Sequence, residues 1–237
     1  MSPVSNVITP MKFTKEMIAG MMDHAVLKPN CTDEDIRRNA ESCIANGIGD
    51  LCVRPTDVAY AKDLLKGSPV TVACVVGFPH GASRPETKAF EARLAIDDGA
   101  DEIDMVMDIG KLLSGDEDHV RNDIAGVVAV AKPKEVLVKV ILETCLLTPE
   151  QIVKACELAI AAGAGYVKTS TGFNGDGATV EAVQIMLDTV KGRAKVKPSG
   201  GIRDWDRAVM FAEMGVHRLG VGAGPQILAG APVDGTY

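Results

Sequence analysis

The sequence has no run of lysines and arginines, no Cys-x-x-Cys pair, no histidine cluster and no apolar stretch approaching ~18 residues. Each absence removes a class of function. With a net charge of −7 and no basic run, neither nucleic acid nor an anionic membrane surface is expected as the main partner. An anionic ligand must be met by a local arrangement. The six cysteines (Cys31, Cys43, Cys52, Cys74, Cys145, Cys156) are scattered, which disfavours zinc and disulfide frameworks alike. Most are expected to be small buried hydrophobes in a reducing, cytoplasmic compartment. No transmembrane helix is expected, and residues 1–10 lack the basic start and apolar run of a signal peptide. No linker-like Pro/Ser stretch divides the chain, so residues 1–237 are expected to form one domain.

What is present is a repeated alternation. Eight short apolar runs lie near 22–27, 50–53, 70–76, 102–107, 136–142, 165–169, 194–197 and 218–221, after a short helix near 14–21. The segments between them carry helix starts: Thr32 with Asp35, Ser83 with Glu86, and Thr148 with Gln151 after Pro149. Gly47, Gly99, Gly163 and Gly215 fall where those helices should end. Helical spacing such as Ile36-Ala40-Cys43-Ile44 supplies faces that pack on a sheet. Eight βα units with short loops predict an α/β fold, a single (β/α)₈ TIM barrel, with an open doubly wound sheet as the alternative.

In such a barrel the active site lies at the C-terminal ends of the strands. The polar residues there are Asp23, Lys28, Cys52, Asp104, Lys139, Lys168 and Lys197. The stretch Tyr166-Val167-Lys168-Thr169-Ser170-Thr171-Gly172-Phe173 carries a lysine out of a buried strand, and burying an unpaired ammonium is costly. Lys139, Lys168 and Lys197 recur 29 residues apart, which predicts comparable heights on adjacent strands and mutual repulsion. A lysine with pKa near ~7 needs its ammonium destabilised by roughly 4–5 kcal/mol. A second ammonium about 5 Å away contributes on the order of 3 kcal/mol at an effective dielectric of ~20, and burial supplies the rest. A Lys168–Lys197 pair can therefore make an amine that attacks carbonyls, with Asp104 moving protons. Structural ion pairing at the barrel mouth is the competing reading.

Ser199-Gly200-Gly201-Ile202-Arg203 and Gly220-Val221-Gly222-Ala223-Gly224 follow the last two strands, where barrels commonly bind phosphate through backbone N–H groups. The G-x-G-x-G spacing is wrong for a dinucleotide fingerprint. Tight turns are the bland alternative. In Gly77-Phe78-Pro79-His80-Gly81 the histidine is expected at the rim or simply solvated, and Asp116-Glu117-Asp118 is expected to favour a helix N-terminus.

Several segments, in order along the chain, resemble the motifs of the deoxyribose-phosphate aldolase family. They are Met22-Asp23-His24, Leu27-Lys28-Pro29, Leu51-Cys52-Val53, Gly77-Phe78-Pro79-His80-Gly81, Glu102-Ile103-Asp104-Met105-Val106, Leu137-Val138-Lys139-Val140-Ile141-Leu142-Glu143-Thr144, Val167 to Phe173 and Lys197 to Arg203. The resemblance implies a class I aldolase that needs no cofactor or metal, takes a sugar phosphate and works as a homodimer. It implies Lys168 as the Schiff-base lysine, Lys197 as the neighbour that lowers its pKa and Asp104 as the proton-transfer group. It implies Asp23, Cys52, Lys139 and Thr171 as further site positions, with Gly172, Ser199, Gly200, Gly201, Gly222 and Ala223 in the substrate loops. Tyr237 resembles the family's C-terminal tyrosine, which assists proton transfer from a tail, here 230–237, expected to be mobile. The family usually carries serines where this chain has Gly222-Ala223, which implies weaker phosphate affinity and leaves an unphosphorylated aldehyde or another sugar phosphate open. A related Schiff-base aldolase and a non-catalytic sugar-phosphate binding barrel are the rival readings.

Overall fold

Strands of three to six residues alternate with helices throughout the computed structural model, which describes residues 13–231 and 233. The strands are β1 Met22–Val26, β2 Asp50–Val53, β3 Thr71–Val76, β4 Glu102–Val106, β5 Leu137–Ile141, β6 Tyr166–Lys168, β7 Lys195–Lys197 and β8 Leu219–Val221. All are parallel, and β8 returns to pair with β1. The remaining seam, between β7 and β8, is stitched by a Ser199–Gly220 bridge and by Gly220 N–H donating to Pro198 O at 2.9 Å. A Cβ at Gly220 would lie 2.1 Å from Ser199 Oγ, so glycine is what lets the seam close. The barrel is the architecture that the eight apolar runs predict.

The helix starts follow side-chain chemistry. Thr14 caps Lys15–Met21, and Thr32 and Thr148 form complete capping boxes with Asp35 and Gln151. Asp116 caps Glu117–Ala131, the role expected of that acidic group. The Ser83 start is a miss: the helix runs Pro85–Asp97, and Arg84 precedes it without a side-chain cap. Pro85, with its pre-set φ and missing N–H, opens that helix unaided. Gly47 ends Asp33–Asn46 at φ 65°.

Strand alternation sorts the core into two shells. Outward side chains such as Val72, Cys74, Ile103, Met105, Val138 and Val140 pack under the helices in one continuous cluster. Inward, Leu27, Cys52, Ala73 and Val75 form a small apolar group of their own with Ala25 and Phe78. Beside it the interior carries buried charges: Asp23, Asp50, Glu102, Asp104, Lys139, Lys168 and Lys197.

Register corrects one expectation. Lys168 stands directly opposite Lys197, but Lys139 pairs with Asp104 and Tyr166, while Ile141 faces Lys168. Lys139 therefore sits one pleat deeper than the other two lysines. Barrel strands are staggered, so equal sequence spacing does not give equal height.

Candidate active site

Lys139, Lys168 and Lys197 are all at most 2% exposed, and Asp104 binds every one of them. Its Oδ1 accepts from Lys139 at 2.8 Å, and its Oδ2 accepts from Lys168 at 2.8 Å and from Lys197 at 2.7 Å. The expected cluster of repelling cations is thus interleaved with carboxylates. Lys139 also contacts Asp23 and Glu102, Lys197 also contacts Asp23, and Arg218 bridges Asp23 and Glu102 at 2.8 and 2.6 Å.

Compensation is unequal. Lys139 meets three carboxylates and Lys197 two, whereas Lys168 meets only an Asp104 oxygen that Lys197 shares. Burial acts against all three ammoniums, yet Asp104 and the other acids hold Lys139 and Lys197 above the ordinary lysine range. Lys168 falls below it, first through burial and then through the adjacent Lys197 charge, with Asp104 opposing. Burial thus outweighs the neighbouring cation as the cause. The acids respond in kind: against burial, the three lysines keep Asp104 well below the carboxylate range, and Lys197, Lys139 and Arg218 keep Asp23 at about 2.

Among the other expected positions, Cys52 lies in the inner apolar group, its thiol pushed up to about 12 by burial. It is a wall of the site and no nucleophile at neutral pH. Lys28 and His80 are exposed at the rim. Thr171 is buried and donates to Glu143 Oε2 at 2.5 Å, while its N–H donates to Oε1 at 3.0 Å. Asn174 Nδ2 donates to the same Glu143 at 2.9 Å. Glu143 thereby ties the loop after β6 to the end of β5, and it does so from a left-handed φ of 59°. Sequence reading gave it no role, although it lies in the Leu137 to Thr144 segment and is an acidic residue at a strand's end. Glu143→Ala leaves the Thr171 N–H and hydroxyl without their acceptor, while Asn174 Nδ2 keeps Pro79 O, and each hydrogen bond to a charged group is worth about 1.5–3 kcal/mol. Urea unfolding should show a loss of about 3 kcal/mol or more, and a midpoint equal to the parent's would mean that other contacts hold the loop.

Gly172, Gly200 and Gly201 line one cavity of about 330 Å³ with Arg203 and Arg207, the latter missed at the sequence level. Arg207 donates from Nη2 to Ala178 O at 2.7 Å, while its buried Nε has no acceptor among the described residues. Backbone amides and two guanidiniums suit an anion. Ser199 is fully buried, its N–H donating to Thr169 Oγ1 at 2.9 Å. Gly222 lines a different cavity, beside Lys28, Arg38 and Phe173, and Ala223 precedes helix Gly224–Ala229. Tyr237 and most of the 230–237 tail lie outside the described residues.

The described helices include none long and apolar enough to cross a membrane. Residues 17–229 match the DeoC/LacD family aldolase. The deoxyribose-phosphate aldolase of Geobacillus sp. (strain WCH70) is 49% identical over 93% of this chain and 98% of its own. That of Thermococcus kodakarensis is 50% identical over 92% and 98%. Among solved structures, the aldolase QR15 superposes with a TM-score of 0.85 at 37% identity, covering 90% of this chain and 94% of that one. The tetrameric deoxyribose phosphate aldolase of Aeropyrum pernix gives 0.85 at 30% identity, covering 91% of each. With these likenesses running through the strands that carry the buried lysines, the chain belongs to the DeoC/LacD aldolase family, alongside the deoxyribose-phosphate aldolases.

Proposed function

We propose that this protein is a class I aldolase that reversibly cleaves 2-deoxy-D-ribose 5-phosphate to acetaldehyde and D-glyceraldehyde 3-phosphate through a Schiff base on Lys168. The observation that carries the reading is the unequal compensation of three equally buried lysines, which makes Lys168 the one that surrenders its proton most readily. A neutral amine in a dry site is a carbonyl nucleophile.

Lys168 Nζ adds to the aldehyde carbon of the open-chain sugar, and loss of water leaves an iminium. In the retro-aldol cleavage the C3 hydroxyl gives up its proton and becomes the carbonyl of the leaving aldehyde, while the electrons of the broken C2–C3 bond pass into that iminium. D-glyceraldehyde 3-phosphate departs and an enamine remains. Protonation of the enamine carbon and hydrolysis release acetaldehyde and restore the amine. Asp104, on both upper lysines, is placed to move protons directly or through a water. Lys197 stays charged, and Asp23 and Lys139 hold it and Asp104 in position. The phosphate is assigned to the cavity of Gly172, Gly200, Gly201, Arg203 and Arg207. The assembly is assigned as a homodimer; sedimentation equilibrium separates that from the tetramer of the Aeropyrum pernix relative.

A coupled assay for acetaldehyde released from 2-deoxyribose 5-phosphate tests the reading. Turnover is expected, and release from unphosphorylated 2-deoxyribose should be weaker, because the anion contacts are lost. Equal rates with both sugars would remove the phosphate from the assignment. No release from either, with the fold intact, would leave a binding barrel or another aldol substrate.

A further inference from the structure

One ionisable group beneath the lysines has no part in that mechanism. Asp50, opposite Asp23 in register, is fully buried, and neither of its oxygens has a hydrogen-bonding partner among the described residues. Carboxylate oxygens of Asp23, Asp50 and Glu102 lie within 4.8 Å of one another. The cations that such a trio attracts are already committed: Arg218 bridges Asp23 and Glu102, and Lys139 contacts Asp23, Glu102 and Asp104. Asp50 is the acid left over.

The layer contains four acids, Asp23, Asp50, Glu102 and Asp104, and four bases, Lys139, Lys168, Lys197 and Arg218. Fully ionised, it sums to zero. An aldolase of the kind assigned above rests with Lys168 as the free amine, and removing that proton leaves one uncompensated negative charge in a buried environment. A single proton on a carboxyl cancels it.

We propose that Asp50 is held as a neutral carboxylic acid, beside the carboxylates of Asp23 and Glu102, and that its proton keeps the buried layer uncharged while Lys168 is a free amine. The role attributed to Lys168 rests on the preceding assignment; the protonation of Asp50 does not. Asp50 touches no substrate and acts as a positioning residue for charge. Facing it are Asp23 from β1, Glu102 from β4, Lys139 from β5, Lys197 from β7, Arg218 just before β8, and Cys43 from helix Asp33–Asn46. Burial, Asp23 and Glu102 push its carboxyl well above the ordinary range, and Lys139 and Lys197 pull against them.

The test is ¹³C NMR of protein labelled at the aspartate side-chain carboxyl. At pH 7 one resonance is expected at the shift of a protonated acid, and it should be lost in Asp50→Asn, or in Asp50→Ser should the amide fail to fold. A parent spectrum in which every aspartate carboxyl is ionised overturns the proposal, and so does a protonated resonance that survives both substitutions. Glu102→Gln removes one negative charge from beside Asp50 and should shift that resonance's titration to lower pH; an unmoved titration overturns the charge-balance role. Failure of the Lys168 assignment registers separately, as a missing borohydride adduct, while these spectra report on Asp50 itself.

Discussion

Lys168→Met should lower the release of acetaldehyde from 2-deoxyribose 5-phosphate by at least about 10⁴-fold, because the covalent route is lost and no other side chain replaces the amine. Borohydride added with substrate should attach a fragment to the parent and nothing to the variant. The fold should survive. Lys168 contributes one contact to the buried layer, and Asp104 keeps Lys139 and Lys197 when it is gone. Methionine fills similar volume without a charge that must be buried, so thermal stability should be unchanged or higher. That separates a missing nucleophile from a collapsed site. A trapped adduct that persists in Lys168→Met would assign the Schiff base to another lysine, with Lys197 the first candidate.

The residues legible in the sequence are those at the exits of the strands. Lys168, Lys197 and Asp104 could be read because barrel chemistry lies at those ends and because a buried lysine demands a reason. The strand runs were legible for a simpler cause: β2 is found at the limits its apolar run gave, 50–53, and the other seven lie within one residue of theirs at either end. What escaped was the deeper part of the charged layer, beneath the Asp104 and Asp23 that hold the lysines. Glu102 and Asp50 begin their strands, and Arg218 precedes β8, on the side of the barrel where packing side chains are expected. Period two held the clue, since Glu102 shares the inward face of Asp104 and Asp50 that of Cys52. Glu143 and Arg207 act across loops, by contacts that no spacing encodes. The height of Lys139 was misjudged because stagger between strands is a property of the closed barrel and not of any one strand.

Lys197→Leu should move the acidic limb of the kcat/KM profile to higher pH. Two changes act in the same direction. Lys168 and Lys197 donate to the same Asp104 oxygen at 2.8 and 2.7 Å, so their ammoniums are close neighbours, and removing one lifts a repulsion worth about 3 kcal/mol at an effective dielectric of ~20. The vacated oxygen then serves Lys168 alone. Both favour the protonated lysine, so the free amine becomes scarcer and kcat/KM at pH 7 should fall by about 10²-fold. Part of that loss should return on the alkaline side, which a merely damaged fold would not give. Damage must be separated because Asp23 and Asp104 each lose a buried partner, a change that can cost about 3–5 kcal/mol of stability. Asp23 retains Arg218 and Lys139, and Asp104 retains Lys139 and Lys168, which limits the cost. Lys197→Arg supplies the control: it keeps the charge, so its acidic limb should stay near the parent's even where altered geometry lowers the plateau. A Leu variant whose activity drops equally at every pH would remove Lys197 from the tuning of Lys168 and leave burial and Asp104 as the groups that set it.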